Sequence, residues 1–166
     1  MTTLVLAATA EDTQALGERV AGLLRAGDLL VLSGDLGAGK TTFTQGIGAA
    51  LGVRGPVTSP TFVISRVHPS LDDGPALVHV DAYRLGGLAE LDDLDLDTSL
   101  ADAVTVVEWG SGVAEALAED RLEVEILRPH GDVDPEAETR TLRLTAVGRR
   151  WDAVDLEAAL RPSADA

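Results

Sequence analysis

The sequence has no cysteine among its 166 residues, which excludes disulfides, thiolate nucleophiles and cysteine-held zinc and permits a reducing compartment. Aromatic residues make up only 3%, so aliphatic side chains must fill the interior. Positive charge is scarce: 13 Lys and Arg stand against 28 Asp and Glu, a formal charge of −15. A surface of that sign repels phosphate backbones, so any work on RNA needs a partner to supply the grip. No run approaches the ~18 apolar residues of a membrane span. The short apolar stretch after Met1 has no basic region before it, so the chain reads as cytoplasmic, without membrane association. At 17.3 kDa it has room for one domain, expected over residues 1–161, with 162–166 a frayed tail.

Lysine is the scarcest charge of all, with Lys40 the only one in the sequence. It sits in a telling place. Asp28-Leu-Leu-Val-Leu-Ser33 is a continuous apolar run of the kind a strand buried on both faces requires, and Lys40 to Leu51 is helical up to Gly52. Between them lies Gly34-Asp-Leu-Gly-Ala-Gly-Lys40-Thr41, which satisfies the phosphate-loop pattern G-x-x-x-x-G-K-[ST] in its required strand–loop–helix context. In such a loop successive backbone N–H groups turn toward nucleotide phosphates, and the helix N-terminus adds favourable potential. Asp35, Leu36, Gly37, Ala38 and Gly39 form the cradle, completed by Thr42. Lys40 meets the β- and γ-phosphates, and Thr41 offers its hydroxyl to Mg²⁺.

Around this unit, Thr9 and the acids after it predict a helix from Asp12 to Arg25. Phe62 to Val67 and Ala76 to Tyr83 read as strands joined in a hairpin, and Val104 to Trp109 as another strand. Leu85 to Leu100 and Val113 to Glu119 read as short helices. Leu122 to Leu127 and Thr139 to Thr145 alternate with period two, as half-exposed antiparallel strands do. Trp151 to Leu160 is amphipathic. The expected fold is α/β and P-loop NTPase-like, with a central, mostly parallel sheet, antiparallel additions and flanking helices.

Two carboxylates end apolar strands, Asp81 after Val78-His-Val and Glu108 after Val104-Thr-Val-Val. In parallel α/β sheets ligands gather at the carboxyl ends of strands, so either acid could hold Mg²⁺, directly or through water, or orient an attacking water. Guanine recognition through Asn-Lys-x-Asp is excluded, because no second lysine exists to build it; ATP is the expected nucleotide. Arg84, Arg121, Arg128 and Arg140 form no evident cluster in the sequence. His68, His79 and His130 lack metal-ligand spacing, with His79 placed to position Asp81 or Tyr83. Asp93-Leu-Asp-Leu-Asp97 starts like a calcium loop but has Thr98 where glycine is needed.

Four blocks, Gly34 to Phe43, Ser59-Pro-Thr-Phe62, His79-Val-Asp-Ala-Tyr-Arg-Leu85 and Val107-Glu-Trp109, stand in an order and spacing that resembles the bacterial TsaE family. These are small ATPases of tRNA threonylcarbamoyladenosine biosynthesis. The resemblance implies ATP hydrolysis that supports turnover of TsaD and TsaB partner proteins, with tRNA reached only through the complex. By position, Thr41 and Glu108 match the family's Mg²⁺-associated residues, and Asp81 the acid of its H-x-D-x-Y-R block. Thr61 lies in a segment matching a nucleotide-sensing switch, and Thr9, Ala10 and Glu11 match the part that reaches adenine. Two other readings stay open: a small-molecule phosphotransferase, and a binding module gated by nucleotide without need of hydrolysis.

Overall fold

The computed structural model describes residues 1–35, 37–58, 65–82, 101–108, 118–129, 134 and 137–162. In chain order these form β1 (Thr2–Ala7), α1 (Ala10–Ala21), β2 (Leu29–Gly34), α2 (Lys40–Leu51) and β3 (Ser65–His68). Then come β4 (Ala76–Asp81), β5 (Ala103–Glu108), β6 (Arg121–Leu127) and β7 (Arg140–Val147), a 3-10 turn at Arg149–Trp151 and α3 (Leu156–Leu160). The strands make one sheet in the order β1-β7-β6-β2-β5-β4-β3. Its centre, β6-β2-β5-β4, is parallel; on one side β7 pairs antiparallel with β6 and β1 antiparallel with β7, and on the other β3 pairs antiparallel with β4.

The continuous apolar run of β2 is explained by burial of both faces. Leu30 and Leu32 join Leu16, Phe43, Ile47 and Val106 in the larger core, while Leu29 and Val31 join Val78, Val80 and Val107 in a second one on the opposite face. In β6 the alternation is strict: Leu122, Val124 and Ile126 are buried and the intervening residues are not. That strand is antiparallel to β7 as expected, yet parallel to β2, so it joins the addition to the parallel centre.

Helices α1 and α2 meet almost backbone to backbone. A Cβ on Gly17 would collide with the Phe43 carbonyl oxygen, and one on Gly46 with the Gln14 carbonyl oxygen. Glycine at both crossings lets the axes approach closely, which sets the N-terminus of α1 beside the phosphate loop.

Three boundaries differ from the sequence reading. Helix α1 starts two residues early because Thr9 and Asp12 form a reciprocal capping box. It ends at Ala21 rather than Arg25; the Leu23 and Leu24 N–H groups turn to i−3 carbonyls, and the Arg25 N–H is taken by the Asp28 carboxylate at 2.8 Å. The C-terminal segment is a 3-10 turn followed by a five-residue helix, with Asp155 capping the Ala158 N–H. Edge strand β1 was not expected at all; its Leu4 and Leu6 are exposed, which blurs the alternation that marks a strand. The helices expected over Leu85 to Leu100 and most of Val113 to Glu119 lie outside the described residues, as do Phe62 to Ile64 at the start of the expected hairpin.

Candidate functional site

The parallel register brings the chemistry together. Asp81 is paired with Glu108 across β4 and β5, and Glu108 with Leu32 across β5 and β2. Two residues past Leu32 the chain enters the glycine loop. Thus the two acids stand side by side at the strand ends next to the loop, both buried, as is Lys40.

Gly39 begins α2 in the left-handed region, φ 110°, with no side chain capping the helix. The first-turn N–H groups of α2 are therefore left to whatever anion the loop receives. Lys40 Nζ donates to the Gly34 and Asp35 carbonyl oxygens at 2.9 and 3.0 Å. Burial pushes its pKa down, and the carboxylates of Glu108, Asp35 and Asp81 work against that. Lys40 thus lies within the field of both strand-end acids.

Glu108 Oε1 accepts a hydrogen bond from His79 Nε2 at 2.9 Å, with the imidazole fully buried. His79 therefore contacts Glu108, a partner the sequence did not suggest; of the two expected for it, Asp81 and Tyr83, the second lies outside the described residues. Buried carboxylates need cations or donors. The hard-oxygen set of Thr41, Asp81 and Glu108 fits Mg²⁺, which is commonly held by one or two carboxylates together with substrate phosphates. Among the described residues no group of three or more His, Asp and Glu stands placed to hold a metal ion.

Beside the loop opens a cavity of about 220 Å³ lined by Ala10, Thr13, Gly37, Ala38, Gly39, Thr42, Glu138 and Arg140. Ala10, expected near adenine, is thus on its wall. Thr9 is engaged as the cap of α1, and Glu11 is exposed in the first turn. Thr13, Glu138 and Arg140 were missed. Thr13 lies one turn along α1 from Thr9, a spacing that could have signalled it, whereas the other two arrive through tertiary pairing of β7. Leu36 and Thr61 lie outside the described residues.

The arginines are less dispersed than their sequence positions suggest. Arg140 Nε donates to the Ala38 carbonyl oxygen at 3.0 Å. Arg128 Nη1 lies 3.8 Å from where a Cβ on Gly37 would stand. Burial and the Arg128 charge disfavour the Arg140 cation, and Glu138 offsets them. Two of the expected strays therefore meet at the loop.

Comparison with known proteins addresses the family and the fold. Residues 7–137 match the family model described as "Threonylcarbamoyl adenosine biosynthesis protein TsaE". The chain is 64% identical over 142 residues to the tRNA threonylcarbamoyladenosine biosynthesis protein TsaE of Streptomyces coelicolor, covering 85% of this chain and 95% of that one. To the protein of the same name from Bacillus subtilis it is 40% identical, covering 86% and 84%. The crystal structure of Bacillus subtilis YdiB superposes with a TM-score of 0.69 at 34% identity, covering 91% of this chain and 89% of that one. By its family match, its close relatives and its mixed sheet, the chain belongs to the TsaE family of threonylcarbamoyl adenosine biosynthesis proteins.

Proposed function

We propose that the chain is a Mg²⁺-dependent P-loop ATPase acting in the cytoplasm within the complex that forms threonylcarbamoyladenosine beside the tRNA anticodon, where its nucleotide cycle supports turnover of TsaD- and TsaB-type partners. The pathway comes from the names its relatives carry. The ATPase reading is carried by the convergence of Lys40, Asp81 and Glu108 at strand ends beside an uncapped helix N-terminus.

In this reading the N–H groups from Gly37 to Thr42 receive the phosphates. Lys40 exchanges its bonds to the Gly34 and Asp35 carbonyls for β- and γ-phosphate oxygens. The Thr41 hydroxyl and Glu108 would hold Mg²⁺, and Asp81 would hold it too, directly or through water, or orient the attacking water. Mg²⁺ held by these residues would supply neutralisation of the charge developing on the phosphate oxygens. Thr61 senses the γ-phosphate. The nucleoside end lies toward Ala10 and the cavity of Thr13 and Thr42. With a net charge of −15, the chain reaches tRNA only through its protein partners.

ATP hydrolysis by purified wild-type chain and Lys40→Ala, with circular dichroism on both, tests the reading. Loss of turnover with the fold intact is expected; unchanged turnover would reject the assignment of the loop.

A further inference from the structure

We propose that His79 is a positioning residue for Glu108, holding the carboxylate in the orientation in which it meets a metal ion. The inference rests on the reading of Glu108 as a Mg²⁺-holding residue.

His79 lies in the middle of β4, opposite Val106 of β5, so Glu108 is its diagonal neighbour on the same sheet face. The imidazole is 0% exposed and Glu108 3%. A carboxylate can only accept, so Nε2 carries the hydrogen in their 2.9 Å bond. Nδ1 is buried with no hydrogen-bond partner among the described residues, which suits a bare lone pair better than an N–H that would have nowhere to donate. The ring is thereby fixed as a one-directional donor toward Glu108.

A glutamate has three rotatable side-chain bonds, and fixing them costs rotamer entropy. The His79 bond restricts them before ligand arrives. It engages Oε1 at 2.9 Å, and a metal or its water would meet the carboxylate so held. Donors that orient a metal's ligands in this way commonly matter 10–100-fold to metal affinity.

The test compares His79→Gln, whose amide nitrogen can stand in for Nε2, with His79→Asn, one methylene too short to reach. ATP binding is measured by calorimetry in EDTA and across a Mg²⁺ titration, together with the melting temperature. Positioning predicts that His79→Asn raises the Mg²⁺ concentration for half-maximal tightening of ATP binding about 10–100-fold. His79→Gln should stay close to wild type, and metal-free ATP affinity should be alike in all three. If both variants keep the wild-type Mg²⁺ response, or both lose metal-free affinity and melting temperature together, the role is overturned. A wild-type chain whose ATP affinity ignores Mg²⁺ would overturn the metal reading of Glu108 itself, and this inference with it.

Discussion

Asp81 and Glu108 are cross-strand partners at the carboxyl ends of β4 and β5, 27 positions apart in sequence and adjacent in the sheet. Two buried carboxylates beside each other repel, and Lys40 is the cation whose field both feel. Paired acids at strand ends are of the kind that suits a divalent ion.

Removing one of those charges should separate stability from function. Glu108→Gln keeps an oxygen able to accept from His79 while relieving the repulsion, so its metal-free melting temperature should equal or exceed that of wild type. Its ATP hydrolysis should fall about 10²–10³-fold, the scale of losing a main electrostatic contact in a reacting site. Thermal melts and steady-state phosphate release measure the two effects.

The two helices that frame the loop have no slack at their crossing. Gly17→Ala should push α1 away from the Phe43 carbonyl, costing about 1–3 kcal/mol as an overpacking change. Because Ala10 and Thr13 ride on α1 and line the cavity, ATP affinity should drop as well. Urea unfolding and ATP titration would record both.

Far from the loop, Arg150 grips Asp28 with two bonds of 2.9 Å, donates to the Leu23 carbonyl at 2.7 Å and stacks its guanidinium 4.5 Å above the Trp151 ring. The fork fastens the 3-10 turn to the entry of β2. Arg150→Ala should destabilise the chain by about 3 kcal/mol, because the buried Asp28 carboxylate loses its guanidinium and keeps the Arg25 N–H bond. Asp28→Leu added to it should restore part of that loss, measurable as a non-additive double-mutant cycle.

Burial holds the His68 imidazole below its usual pKa of 6.5, with its bond to the Arg54 carbonyl offsetting part of the shift. Between the folded value and about 6.5 the unfolded chain binds more protons, so stability rises with pH across that window and falls on acidification. His68→Phe, which cannot titrate, should lose less stability between pH 7 and pH 5 than wild type does in parallel denaturant melts.

Much of this was readable along the chain because its causes are local. Lys40 to Leu51 is bounded by a loop motif and a left-handed Gly52, and the burial of β2 follows from its unbroken apolar run. The pairing of Asp81 with Glu108 was half visible, since both end strands, but only sheet register makes them neighbours. Arg140 against Ala38 and Arg150 against Asp28 join residues about a hundred or more positions apart, which no periodicity encodes. Edge strand β1 escaped because both of its faces carry aliphatic residues, so alternation gave no contrast.

The most direct measurement is ATP hydrolysis with Mg²⁺ by the chain alone and then with TsaD, TsaB and substrate tRNA, read beside multi-turnover threonylcarbamoylation. A coupled ATPase predicts low basal hydrolysis that rises with the complete set, and modification that stops after about one turnover with Lys40→Ala. Hydrolysis indifferent to partners and tRNA, with modification undisturbed by Lys40→Ala, would contradict it.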